Sequence, residues 1–114
     1  MKVPPKLEDV PSKVRKLLNV SEYVFTGHAK QRLEEREVTA LEAISILRHG
    51  YRQPDRDRFN EFDQNGVRIN RWSYTFEGNT LDERCLRVVV SFKEKDDFSE
   101  LMLIITVIDL NSEV

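Results

Sequence analysis

A single cysteine, two histidines and one tryptophan stand in a chain of 114 residues, and each scarcity excludes something. With Cys85 alone there is no internal disulfide and no zinc site of the usual cysteine-rich kind. Cys85 sits in the apolar stretch Cys85-Leu86-Arg87-Val88-Val89-Val90 and reads as a buried structural thiol. His28 and His49 are the only imidazoles, and no Asp, Glu or His cluster has metal-ligand spacing, so neither metal nor cofactor is expected. No apolar run approaches the roughly 18–20 residues of a membrane helix. The start, Met1-Lys2-Val3-Pro4-Pro5-Lys6, lacks the apolar core of a signal peptide. A cytoplasmic protein without membrane contact is the expectation. Glycine and proline number 4 each, too few for a fibrous or low-complexity chain.

What is present is the balance of a globular domain, 39% hydrophobic and 33% charged. The length fits one domain over residues 1–114, with a lead-in and helix over 1–22 and the main body over 23–109. A chain this size buries roughly two-thirds of its unfolded surface and holds one core without staples. The net charge of −2 hides an asymmetry. Residues 1–58 carry 12 Lys/Arg against 9 Asp/Glu, and residues 59–114 carry 6 against 11. The basic excess gathers over Lys13–Lys16 and Lys30–Arg58, which suits either a polyanionic partner or a solvated charged face.

The pattern changes period midway. Val14, Leu17 and Leu18 predict a helix from Pro11-Ser12 to Val20. Val24-Phe25 is extended, and Thr26 or Gly27 opens a second helix through Glu37. Thr39 with Glu42 makes a capping box for a third, whose apolar face is Leu41, Ile44 and Leu47 with Ala43 and Ile46. His49 lies in its last turn, where it caps carbonyls, and Gly50 ends it. Alternation over Asp57–Phe62, the hairpin signal Asn65-Gly66 and a long strand over Val67–Phe76 follow. A turn at Gly78-Asn79-Thr80 leads to a strand over Leu86–Phe92, a polar turn over Glu94–Asp97 and a buried strand over Leu101–Ile108. Helices first and a meander second predict an α+β fold, with helices on one face of an antiparallel sheet.

The chemically informative segment is Gly27-His28-Ala29-Lys30-Gln31-Arg32-Leu33-Glu34-Glu35-Arg36. Around a helix, Arg32 falls about 40° and Arg36 about 80° from His28, with Ala29 at about 100° and Leu33 at about 140°. The three cationic groups therefore lie beside the apolar stripe, where a merely solvated row would not be placed. One reading has Arg32 and Arg36 snorkelling to sheet carboxylates such as Glu61 or Glu77. The other is an anion site in which guanidinium forks and an imidazole converge on one phosphate.

Phe25-Thr26-Gly27-His28-Ala29-Lys30-Gln31-Arg32 through Arg36-Glu37-Val38-Thr39, the helix ending at Gly50, and the terminal run Leu103-Ile104-Ile105-Thr106-Val107 resemble a family of small bacterial domains. These domains show H-A-x-x-R-x-x-x-R, a short helix, a glycine and a meander. That family looks related to RelE/BrnT-type toxins, small ribonuclease-like folds grouped with barnase- and colicin-type nucleases. Val88-Val89-Val90-Ser91-Phe92-Lys93-Glu94-Lys95 also resembles the end of mRNA interferases of the MqsR kind. The resemblance covers residues 23–109. It implies a four- to five-stranded antiparallel sheet against N-terminal helices. It suggests a toxin acting on RNA and held in check by a cognate antitoxin protein, an activity that has to be argued from the site and not from the fold.

A metal-free ribonuclease needs a base for the 2′-hydroxyl, an acid for the leaving oxygen and cations for the phosphoryl charge. His28 suits proton transfer near neutral pH. Arg32 and Arg36 suit the electrostatic role, and Arg87, which interrupts an apolar strand, is a further phosphate candidate. Tyr74 is a possible proton donor, although a phenol with an ordinary pKa near 10 is a poor base. Strand alternation puts Arg68, Asn70, Trp72 and Tyr74 on one face and Arg71, Ser73 and Thr75 on the other, with Trp72 and Tyr74 available for stacking or for core. Three readings follow: a toxin-like ribonuclease, a non-catalytic nucleic-acid-binding module of the same fold, and a protein-interaction module with structural arginines. A slightly acidic chain with one imidazole in its basic helix speaks against the first.

Overall fold

Three capping side chains start three helices. The Asp9 carboxylate accepts the Ser12 N–H, the Thr26 hydroxyl that of Ala29, and the Thr39 hydroxyl that of Glu42. The helices are α1 (Val10–Asn19), α2 (Gly27–Arg36) and α3 (Ala40–His49). Glu42 returns a bond to the Thr39 N–H and closes the capping box the sequence announces. The computed structural model describes residues 3–96 and 99–111. Its strands are β1 (Tyr23–Phe25), β2 (Tyr51–Arg52), β3 (Arg58–Phe62), β4 (Arg68–Asn79), β5 (Cys85–Asp96) and β6 (Ser99–Asp109). A short 3-10 turn over Pro54–Arg56 joins β2 to β3.

These elements form an α+β fold, three helices packed against one sheet of order β1-β6-β5-β4-β2, with β3 also paired to β4. The sheet has six strands rather than four or five, because short β1 and β2 add to its edges. Four of the pairs are antiparallel, but β1 runs parallel to β6, Tyr23 opposite Met102. A parallel pair needs a long crossover, and here everything from α2 to β5 supplies it.

The core lies between the sheet and the helices. Leu86, Val88 and Val90 of β5, Met102, Ile104 and Val107 of β6, and Tyr74 and Phe76 of β4 meet Val10, Val14, Leu17 and Leu18 of α1 and Ala43, Ile46 and Leu47 of α3. Each such large apolar side chain contributes roughly 1.5–3 kcal/mol by leaving water. Leu41, expected on that apolar face, is 78% exposed. It lies about 200° around the helix from Ala43, so the buried stripe turns it outward. Cys85 is half-buried rather than enclosed, and burial together with the nearby Glu77 charge raises its thiol pKa.

The strands are longer than their patterns suggest. β4 continues through Gly78 and Asn79, so the turn falls after them, and β5 continues to Asp96; position 97 lies outside the described residues. Gly78 remains in the strand because the end of α3 presses on it. A methyl group on Gly50 would stand 2.5 Å from the Ile46 carbonyl oxygen and 2.6 Å from that of Glu77, and one on Gly78 3.1 Å from the Gly50 Cα.

Two bulges shape the other sheet face. In β4, Asn70 takes a left-handed backbone (φ 47°), which asparagine tolerates better than most residues. Asn60 pairs with Arg71 and Phe62 with Arg68. Residues 60 and 62 share a face, so Arg68 and Arg71 share it too, against the simple alternation that separates them. In β6, Val89 and Val90 face Thr106 and Ile104, which leaves Ile105 as the extra residue.

Gly50→Ala is expected to cost about 1–3 kcal/mol, because both nearest atoms are backbone and the helix must shift from the sheet. A fall in urea midpoint with unchanged slope is the measurement; an unchanged midpoint would show that α3 moves freely on β4.

Candidate functional site

The face of the sheet turned away from α1 and α3 carries a groove of about 1010 Å³. Its floor is Ser73 and Thr75 of β4, Val89 and Ser91 of β5, and Leu103, Ile105, Thr106 and Ile108 of β6. One wall is the start of α2, with Thr26, Gly27, His28 and Gln31; the strand order puts Arg56, Asp57, Arg58, Asn60 and Arg71 at the opposite side.

The first wall is built by Thr26. Its N–H donates to the Ile104 carbonyl at 3.0 Å and its hydroxyl to the Ile105 carbonyl at 3.2 Å, at the β6 bulge. The same hydroxyl accepts the Ala29 N–H, so strand, bulge and helix start are tied at one residue. Ala29 is fully buried, and Leu33 packs on the core. This orientation leaves His28 and Gln31 over the groove. At the other end, the Arg84 guanidinium donates to the carbonyls of Arg36 (2.6 Å) and Glu37 (2.9 Å) and pairs with Asp109 at 3.1 Å. A cation there complements the helix dipole and holds the left-handed Glu37.

His28 and Arg32 come together: Arg32 Nε donates to His28 Nε2 at 3.4 Å. An accepting Nε2 leaves the hydrogen of the neutral ring on Nδ1. Arg32 also pairs with Glu35 at 2.7 Å, and Gln31 donates to the same carboxylate at 2.8 Å. Those bonds, Gln31 first, hold the Glu35 carboxyl below its ordinary value. Both partners are over a third exposed, so the pair holds Arg32 loosely.

The remaining candidates lie elsewhere. Arg36 ends α2, away from the groove lining. Tyr74 is 3% exposed on the helix side of the sheet, its oxygen accepting the Leu7 N–H at 3.1 Å. That position takes the possible proton donor Tyr74 out of the groove: strand alternation turns it into the core. Trp72 also faces that side, bonded to the Pro4 carbonyl at 2.7 Å and edge-on to Phe59, so it is not a stacking platform in the groove. Arg87 shares the open face but stands beyond the groove, forked onto Glu77 at 2.9 and 3.2 Å. Tyr51 donates to the same carboxylate at 3.1 Å, which raises the phenol's pKa. Stripping one partner from a buried pair costs on the order of 3 kcal/mol, so Arg87 stays with Glu77. Glu61 is occupied by Arg68 at 3.9 Å. Neither carboxylate proposed as an anchor for the α2 arginines serves as one. His49 is exposed at the end of α3.

The opposite wall was missed by sequence reasoning. The Asp57 side chain is fully buried, forked by Arg52 at 2.7 and 2.9 Å and bonded by Lys6 at 3.2 Å. Asn60 Nδ2 contacts Ser73 Oγ at 3.1 Å and the Arg58 carbonyl at 3.2 Å. Among the described residues Arg56, Arg58 and Arg71 form no ion pair. The available signal was the set of hydroxyls at alternate positions of otherwise apolar strands, Ser73, Thr75 and Ser91. No group of three or more His, Cys, Asp or Glu among the described residues is arranged to hold a metal. No helix among them is long and apolar enough to cross a membrane.

Fold and groove together define a small α+β domain with a cleft on its open sheet face, its floor of aliphatic and hydroxyl side chains and its edge of arginines and aspartates. The chain belongs to a family described as a domain of unknown function, DUF4258, which matches residues 25–109. No curated protein and no solved structure matches it.

Burial alone would raise the Asp57 carboxyl pKa, but the Arg52 and Lys6 bonds and charges outweigh it and hold it below the ordinary value. A depressed folded-state value stabilises the fold above about pH 4 and is lost as pH falls through that value. Asp57→Asn should therefore lower the urea midpoint at pH 7, and its gap from wild type should narrow below about pH 4. A gap that is constant with pH would mean that the charge of Asp57 contributes nothing.

Proposed function

We propose that the protein is a metal-independent ribonuclease of the toxin–antitoxin kind, acting in the cytoplasm and silenced by an antitoxin that covers the groove. The observation that carries this reading is His28 on one wall of a cleft whose other side holds arginines that form no ion pair among the described residues. Unpaired guanidinium groups bind phosphate through two parallel hydrogen bonds and need give up no carboxylate to do so. Arg58 and Arg71 take the phosphate, and Arg32 leaves Glu35 to join them. Departure of Arg32 frees the lone pair of His28 Nε2.

The chemistry then needs one base. His28 Nε2 removes the proton of the ribose 2′-hydroxyl, and that oxygen bonds to phosphorus. The bond from phosphorus to the 5′-oxygen breaks, and the leaving oxygen takes a proton from solvent. The first product strand carries a 2′,3′-cyclic phosphate. Arg58 and Arg71 stabilise charge on the phosphoryl oxygens as it grows. A second reading, a groove that binds RNA without cutting it, draws on the removal of Tyr74 to the core and of Arg87 to Glu77. Of the two proton-transfer candidates His28 and Tyr74, only His28 then lines the groove.

Cleavage of single-stranded RNA should survive a chelator and leave 2′,3′-cyclic ends. His28→Ala should slow it by about 10²–10⁴-fold. Arg32→Lys should also slow it, because lysine cannot reproduce the fork. Arg58→Ala with Arg71→Ala should reduce the salt dependence of binding by about one to two phosphate contacts. Binding without cutting would select the second reading, chelator-sensitive cutting would discard this mechanism, and no binding at low salt would discard both.

A further inference from the structure

The buried hydroxyls of the groove floor are not alike. Ser73 Oγ is occupied by the Arg58 carbonyl at 3.3 Å and the Asn60 amide at 3.1 Å. Ser91 Oγ donates to the Trp72 carbonyl at 2.9 Å. Thr75 is 3% exposed and lines the groove, yet its hydroxyl meets no partner among the described residues. Its backbone is satisfied, the carbonyl by Gln53 and Arg52 and the N–H by Asp57. The other two floor serines are bonded to the protein, so the Thr75 hydroxyl is left for a group that enters the groove.

Its surroundings say what kind of group would complete it. Thr75 stands opposite Val89, and Val89 opposite Thr106. The bulge sets Ile105 beside Thr106 on this face, and Ile108 follows. The Thr75 hydroxyl is therefore flanked by a low platform of Val89, Ile105 and Ile108 with the half-buried Thr106 beyond Val89, and the arginines stand at the side rather than over it. A phosphate fits the side and not the platform. A flat heterocycle with hydrogen-bonding atoms only on its edge fits the platform. The groove volume of about 1010 Å³ exceeds what one nucleotide needs. Among the described residues the groove's one aromatic ring, the exposed Phe62, stands at its side on β3 and not on the floor, so a base on the floor is held by side-chain contact and an edge bond.

We propose that Thr75 marks a nucleobase subsite: one unpaired base of a single-stranded RNA lies on Val89, Ile105 and Thr106, and the Thr75 hydroxyl bonds its edge. The inference rests on the RNA-groove reading above. A base in a duplex has its edge engaged, so the subsite selects single strands.

The test uses the full chain and two short RNA strands with fluorine in place of the 2′-hydroxyls, so that neither is cut. One carries its bases and the other is abasic. Thr75→Val keeps the side-chain shape and strand preference and removes the hydroxyl. It should weaken binding of the base-bearing strand by about threefold to tenfold, the worth of one hydrogen bond, and leave the abasic strand unchanged. Thr75→Ser should restore most of the loss. Equal binding of the two strands to wild type, or a Thr75→Val effect that is nil or the same for both, would overturn the subsite and leave the RNA groove standing. If neither strand binds wild type, the groove reading falls and the subsite with it.

Discussion

The bond between the Thr26 hydroxyl and the Ile105 carbonyl holds the open face together. Thr26 closes the parallel β1–β6 pair, caps α2 and accepts the Lys30 N–H, all within one residue. Its reach depends on the β6 bulge, which turns an additional carbonyl toward the edge of the sheet. Without the bulge the helix start would have no fixed azimuth. His28, two residues on, would then have no reason to face the groove rather than solvent. A local irregularity in the last strand thus sets the position of a side chain about eighty residues earlier.

The arginines divide into spent and unspent groups, and the division follows burial. Arg52, Arg84 and Arg87 each meet a mostly buried carboxylate at 2.7–3.1 Å. All three are fastened to the frame: Arg52 under the groove's side, Arg84 behind α2, Arg87 at the sheet end. Arg56 and Arg58 are exposed and Arg71 half-buried, without ion pairs among the described residues. The sheet therefore uses part of its cationic charge as fasteners and leaves part at the lip of the cleft. The net charge of −2 averages over this difference and conceals it.

Local rules were legible because they act within a few residues. The Thr39–Glu42 box, the Asn65-Gly66 hairpin and the order of helices before strands are all written in short stretches. What was not legible depended on distant pairing. Gly78 looks like a turn residue, but Gly50 pressing from α3 keeps it in β4. Arg68 and Arg71 look opposed until the left-handed Asn70 puts them together. Tyr74 and Arg87 offered suitable chemistry in the wrong places, one facing the helices and one facing Glu77. His28 beside Arg32 was visible from helical spacing, which is itself a short-range rule. The far wall, Asp57 to Asn60, was hidden because a 3-10 turn folds it across β4.

The single tryptophan occupies an unusual station. Residues 3–9 lie over the helix side of β4, where Pro4 accepts the indole N–H at 2.7 Å and Lys6 stands 5.5 Å from the ring centre. Lys6 also reaches the buried Asp57, so the same segment touches the indole and the groove's side. Indole emission in this protein is thus a gauge of whether the leading segment is seated. Lys6 ties that segment to Asp57, so one short stretch of chain links the indole on the helix side to the groove's side of the sheet.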